Sequence, residues 1–301
     1  SLLFKKQKTS PVTNRNLLQH PLLQPLFLLQ VAAVCVFAGR AWQHLRFDAP
    51  YRTLLWDERW MKGIVAAFGT DWSDYVTSPR VDGAIDAFTR GMGWFYVLCA
   101  LCAIALPRLG RPASWIVTAG GVGLVVLAFL FTKEKFFFAG EFFEFALQCG
   151  TPFFLVWINR HGAPTPGFIR WLKIAIALTF ICHGLYATGF YPRPGNYIEM
   201  TMKILHFDEQ QAAAFLNVAG LLDFLLSVCI FLPWRQPVLI ALAYAVFWGA
   251  ATSLARTWAY FNPEFWDNSL EQWLHETVFR LPHALGPLVA LVCIGAVAPK
   301  R

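Results

Sequence analysis

Eight stretches of this sequence are each long and apolar enough to be buried in something other than water: 24–44, 86–106, 113–132, 137–158, 167–188, 210–232, 236–255 and 277–298. A hydrocarbon layer about 30 Å thick takes about 20 residues of helix, and only a segment that satisfies its own backbone can cross it. The spacing predicts an all-α fold, a polytopic membrane bundle of eight transmembrane helices, four in each half of the chain. Charge agrees: only 14% of the 301 residues are charged, against roughly 25% in soluble domains, too few to cover a water-facing globule. The lipid bilayer is therefore the first expected partner. A net charge of +7 does not point to nucleic acid, because the basic residues are scattered among loops and form no stripe.

Those basic residues instead suggest an orientation. Lys5, Lys6, Lys8 and Arg15 precede the first stretch; Arg108 and Arg111, Arg160 and Arg170, and Arg235 fall in alternate short loops; Lys300 and Arg301 close the sequence. All lie on one side if both termini are cytoplasmic, with the long segments 45–85 and 189–209 exported and only the Lys133-Glu-Lys135 turn dissenting. A bacterial inner membrane is the expected location. Gln24, Pro25 and Gln30 interrupt the first stretch and no small-x-small site follows, so it reads as a retained helix rather than a removable leader.

The second half also repeats the first. Ala139–Leu155 aligns without a gap on Leu274–Ala290, setting Glu141 on Glu276, Gln148 on His283 and Pro152 on Pro287. Glu58 to Lys62 matches Glu199 to Lys203, and Cys102 matches Cys229. Both matched Glu segments mix Leu, Met, Ile or Trp with charge, as an interfacial helix in an exported loop does. The expected organisation is a first four-helix repeat at 1–158, a connecting turn at 159–166 and a second repeat at 167–301. Four helices per half gives the repeats one orientation, and sites in duplicated membrane bundles form where repeats meet.

Ionisable side chains cost about 2.5–3.5 kcal/mol each in a membrane helix, so their positions are informative. In the last helix Glu276, Arg280, His283 and Pro287 follow i, i+4, i+7, i+11, one face of an uninterrupted helix. The fourth helix has Glu141, Phe145, Gln148 and Pro152 on the matching face, with Glu144 flanking it. Thr179, His183 and Tyr186 share a face of the fifth helix; Arg40 and His44 occupy the matching part of the first; Asp223 stands alone in the sixth. Ligand binding or proton relay is expected of His183, Asp223, Glu276, Arg280, His283, Glu141, Gln148 and Arg40, around one polar cavity or two related ones. The plainer alternative is that end-of-helix residues such as Arg40, Arg256 and Glu276 snorkel to the headgroups.

No HExxH, zinc-ligand set or haem-attachment motif occurs, so no metal site is expected, and the histidines are too few and too scattered for haem. The seven cysteines, Cys99 and Cys102 among them, fall inside apolar helices and read as buried small side chains, with membrane thiol redox as the alternative. Gly120, Gly121 and Gly123 lie mid-helix with no following Lys, so helix packing explains them better than phosphate binding.

Arg170-Trp-Leu-Lys-Ile-Ala-Ile-Ala-Leu-Thr-Phe-Ile-Cys-His183-Gly184-Leu185, a Pro-x-Pro loop, and then Asn217-Val-Ala-Gly220-Leu-Leu-Asp223 resemble the DoxX-like family of four-helix membrane proteins over about 167–298. Helices 1–4 would be a degenerate second copy, with Ala38-Gly39-Arg40 in place of the His-Gly-Leu. The resemblance implies membrane thiol or quinone redox, often in a non-catalytic subunit beside a peripheral enzyme, and it bears on His183, Gly184 and Asp223 only. Three expectations compete: an integral membrane protein binding an apolar or quinone-like ligand or docking a redox partner at its exported face, a structural subunit of a larger membrane complex, and a proton-coupled carrier. A quinone is the one candidate cofactor. Whether the chain is an enzyme stays open.

Overall fold

A computed structural model describes residues 24–296, and every regular element among them is helical. The charged ends that suggested the orientation lie outside the described residues. The first half comprises α1 (Pro25–Arg46), three short helices α2 (Tyr51–Leu55), α3 (Glu58–Ala67) and α4 (Trp72–Thr77), then α5 (Pro79–Leu109), α6 (Arg111–Glu134), α7 (Ala139–Glu144) and α8 (Ala146–His161). The second comprises α9 (Pro166–Ala187), α10 (Gly195–Leu205), α11 (Glu209–Cys229), α12 (Arg235–Ala259), α13 (Trp266–Arg280) and α14 (Pro282–Ala296), with a 3-10 turn at Pro263–Phe265.

Seven helical spans among the described residues are long and apolar enough to cross a bilayer, so this is an integral membrane helical protein. Where the fourth crossing was expected stand two shorter helices, α7 and α8, the longer of 16 residues, and neither is among those seven spans. The expected eighth crossing is the pair α13–α14. Both breaks correct the expectation of unbroken polar faces: the helix turns at Phe145 and again at Leu281, so the i, i+4, i+7 arithmetic fails across them.

Each break frees backbone groups, which hydrocarbon cannot solvate. Side chains of neighbouring helices take them up. The Leu147 N–H donates to Thr179 Oγ1 at 3.1 Å. Pro282 has no N–H and the Ala284 N–H turns to the Leu281 carbonyl, which frees the Arg280 carbonyl; it accepts from Ser253 Oγ at 2.9 Å.

Two helices lie at the centre. α1 packs on α5, α8, α13 and α14; α9 packs on α11, α7, α8 and α14. One continuous core runs between them, through Phe37, Tyr96, Leu147, Phe180, Leu242 and Val289. Lipid tails are as apolar as leucine, so close backbone approach, rather than escape from water, holds such helices together. A Cβ on Gly184 would lie 2.9 Å from the Gly220 carbonyl, and one on Gly220 would lie 2.9 Å from the Gly184 carbonyl, so α9 and α11 meet backbone to backbone.

The two segments expected to be interfacial are helical, each with its glutamate tied to a lysine one turn on: Glu58 to Lys62 at 2.9 Å and Glu199 to Lys203 at 2.8 Å. Asp57 caps α3 by accepting from the Arg59 and Trp60 N–H groups and forms an ion pair with Lys133 at the end of α6. Tyr260, just past α12, donates to Glu199 Oε2 at 2.8 Å. The turn joining the halves runs from Gly162, at φ +71°, to Thr165, which caps α9.

Candidate functional site

A cavity of about 530 Å³ lies among α9, α10, α11, α12 and α14. Its walls are mostly aliphatic and aromatic, from Met200, Ile204 and Leu205 on α10 to Phe215, Leu216 and Leu222 on α11 and Trp248 and Ala251 on α12. Its polar lining is confined to a few side chains, among them Glu144, His183, Asp223, Arg256, Arg280 and His283. Three features of the chain bring these together. The Gly184–Gly220 contact sets Asp223 of α11 beside the His183 turn of α9. The α13–α14 break separates Arg280 from His283 while leaving both in the wall. The α7–α8 break lets Glu144 reach across to α9.

The pairing within the site is uneven. His183 Nε2 lies 3.2 Å from Glu144 Oε1, and the His183 ring meets the edge of the His283 ring with centroids 5.1 Å apart. Neither ring nitrogen of His283 has a partner, nor has Asp223 Oδ1, although the residues are only 1% and 2% exposed. Proteins pair nearly all such groups, and each one left unpaired costs about 1–3 kcal/mol. Above this layer, Glu276 accepts from Arg256 at 2.6 and 2.7 Å and forms a second ion pair with Arg280. On α10, burial pushes the Tyr197 phenol well above its usual range, so it meets the cavity as a neutral hydroxyl.

The eight expected site residues therefore divide. His183, Asp223, Arg280 and His283 line the cavity, and Glu276 stands behind Arg280. Glu141 accepts from the Tyr186 hydroxyl at 3.1 Å and does not reach the cavity. Arg40 and Gln148 form a separate cluster. Arg40 Nη2 donates to Gln148 Oε1 at 2.8 Å and Nη1 to Gln43 Oε1 at 2.7 Å. The guanidinium is stacked 3.8 Å from the Phe279 ring centroid and flanked by Phe131 and Phe145. Arg40 is fully buried, so the snorkelling reading is overturned for it: its level in α1 is walled by three aromatic rings, and the side chain has no path to a headgroup.

Glu144 and Arg256 carry more of the site than their sequence positions suggested. Glu144 flanks the expected face only if α7 and α8 are one helix, and the signal that could have moved it is the Phe-rich run broken at Phe145. Arg256 looks like an end-of-helix cation until α13 brings Glu276 against it. Among the described residues the cysteines are free, and no cluster of three or more His, Cys, Asp or Glu is placed to hold a metal ion.

Comparison with protein-family models, curated proteins and solved structures finds no match to this chain. The class defined by fold and cavity is that of an integral membrane helical protein, and what the cavity does is read from its own chemistry.

Proposed function

We propose that this protein holds a quinone-like amphipathic molecule in the cavity beside His183, Asp223 and His283, and docks a redox partner at its exported face. The observation that supports it is that both ring nitrogens of His283 and Asp223 Oδ1 are buried without a partner in a chamber walled mostly by apolar side chains. A neutral imidazole offers one donor and one acceptor. A quinone carbonyl would take the first and a quinol hydroxyl would supply the second, so His283 can pair with either oxidation state. A chamber of this size with few convergent polar groups suits such a ligand. His183, hydrogen-bonded to Glu144, is within one ring of His283 and is the group we assign to proton relay.

The architecture in this proposal is eight crossings in two four-helix repeats, 1–158 and 167–301, rotated about an axis along the membrane normal, both termini cytoplasmic, in a bacterial inner membrane. The pattern of helix neighbours supports it: α1 and α9 have matching partners, as do α8 and α14. The resemblance of 167–298 to DoxX-like proteins supports the redox setting through His183, Gly184 and Asp223.

The test is solvent extraction of protein purified in mild detergent, with quinones quantified against protein. The expected result is near-stoichiometric quinone in the unsubstituted protein and loss of most of it in His283→Leu and Asp223→Asn, both still folded by circular dichroism. Extracts free of quinone would sink the ligand reading. Co-purifying subunits without ligand would then favour the structural subunit, and substrate uptake into liposomes the carrier.

A further inference from the structure

The cavity has a second kind of wall. Val218 and Leu222 of α11 and Phe247 of α12 line it, yet they are 57%, 39% and 68% exposed on the outside of the bundle. Both helices are membrane-spanning in length and composition, so that outside is acyl chain rather than water. The same residues thus separate the chamber from lipid by the thickness of one side chain.

The gap has a physical origin. In the first half, glycines let α6 close on α5: a Cβ on Gly120 would lie 2.6 Å from Cys99 Sγ, and one on Gly123 would lie 3.1 Å from the Tyr96 hydroxyl. α11 and α12 approach each other less closely than α5 and α6 do. Aromatic side chains stand between them: Phe215 of α11 meets Trp248 of α12 with ring centroids 6.1 Å apart, and Trp248 is in turn stacked on Tyr244 of its own helix at 6.4 Å. Aromatic bulk holds the pair open where glycine closes its counterpart.

We infer that the cavity is loaded from within the bilayer, through the slot between α11 and α12, by an amphiphile whose oxygen-bearing head reaches His283 and Asp223 while its apolar tail leaves past Val218, Leu222 and Phe247. This rests on the ligand reading above and adds the route and the tail. A tailed molecule already dissolved in lipid crosses no polar barrier on this path. Through the α10 side it would pass Arg256, Arg280 and Tyr197, which suit a water-borne solute.

The experiment uses the full chain in lipid nanodiscs and two benzoquinone probes with one head, one decyl-tailed and one tail-less, followed by quenching of tryptophan fluorescence after rapid mixing. Leu222→Trp narrows the slot and should slow association of the tailed probe at least tenfold, with little effect on the tail-less one. Met200→Trp, on α10, should do the reverse. Phe247→Ala widens the slot at a lipid-facing position and should speed the tailed probe, which keeps the test valid if Leu222→Trp fails to fold. A tailed probe slowed by Met200→Trp and indifferent to both slot variants would overturn the lateral route while leaving the ligand reading intact. If neither probe binds the unsubstituted protein, the ligand reading itself fails and the route goes with it.

Discussion

α1 meets α8 and α9 meets α14, yet one of these contacts is solid and the other hollow. In the first, Arg40 reaches Gln148 and Gln43 through its two Nη atoms, its Nε alone lacking a partner, and Phe131, Phe145 and Phe279 fill the space around its guanidinium. In the second, the His183 and His283 rings meet edge to face, and beyond them lies the cavity. Gln148 and His283 are the aligned pair. One has its partner within the chain; the other has none. The comparison teaches that a buried polar residue in a membrane bundle says little by its presence. What matters is whether the protein itself completes its hydrogen bonds.

The sharpest way to break the hollow side is at Gly249. A Cβ there would overlap the His283 carbonyl and crowd the Ala284 nitrogen at 2.9 Å. Gly249→Ala must therefore push α12 off α14 at the layer that carries His283. We expect a loss of about 3 kcal/mol or more, at the upper end of overpacking effects, read as a lowered thermal midpoint in detergent, with ligand binding lost. A variant as stable as the parent would mean that α12 and α14 are not in this contact.

The solid side is tested at Arg40. Arg40→Ala empties the space among three rings and leaves Gln148 unpaired, which should cost about 2–5 kcal/mol. Arg40→Met keeps the stem and removes an expensive buried charge, so it should cost far less than alanine, because a buried cation without a carboxylate is a weak source of stability. Neither should change ligand binding directly. A loss of binding in the folded Met variant would show the two regions to be one site.

The smallest effect is at the interfacial helices. Lys203, followed by the Tyr260 hydroxyl, holds the Glu199 carboxyl below its usual range. A lowered folded value means that the contribution is complete above the ordinary 4.5 and fades as pH falls through the lowered value. Glu199→Gln should remove that acid-side slope from the thermal midpoint and leave neutral pH nearly untouched, since the group is exposed. A large loss at neutral pH would place α10 in a load-carrying contact rather than at the surface.

Much of the bundle was legible from apolar length. The crossings α1, α5, α6, α9, α11 and α12 stand where runs of apolar residues put them, and the α6 glycines pack as their mid-helix position implied. The polar faces were harder. The face of Thr179, His183 and Tyr186 is continuous because α9 is unbroken, and Asp223, alone in its helix along the sequence, meets the cavity only through packing. The face joining Glu141 to Gln148 and Pro152 does not hold, because a turn at Phe145 resets the phase, and Phe145 is not a residue whose chemistry announces a break. The last helix did hold a signal in Pro282. Its consequence, an Arg280 carbonyl satisfied from Ser253, belongs to tertiary contact and is invisible along the chain. The choice between an inward and a snorkelling Arg40 is equally invisible along the chain: it depends on what surrounds the side chain, and three phenylalanines from distant segments enclose it.

The most direct test of the account is an experimental density map of the protein extracted with its native lipid, examined at the cavity. The expected result is an elongated feature with its compact end within hydrogen-bond distance of His283 or Asp223 and its tail between α11 and α12. A chamber holding nothing but ordered water, or a His283 ring turned to a partner within the protein, would contradict it.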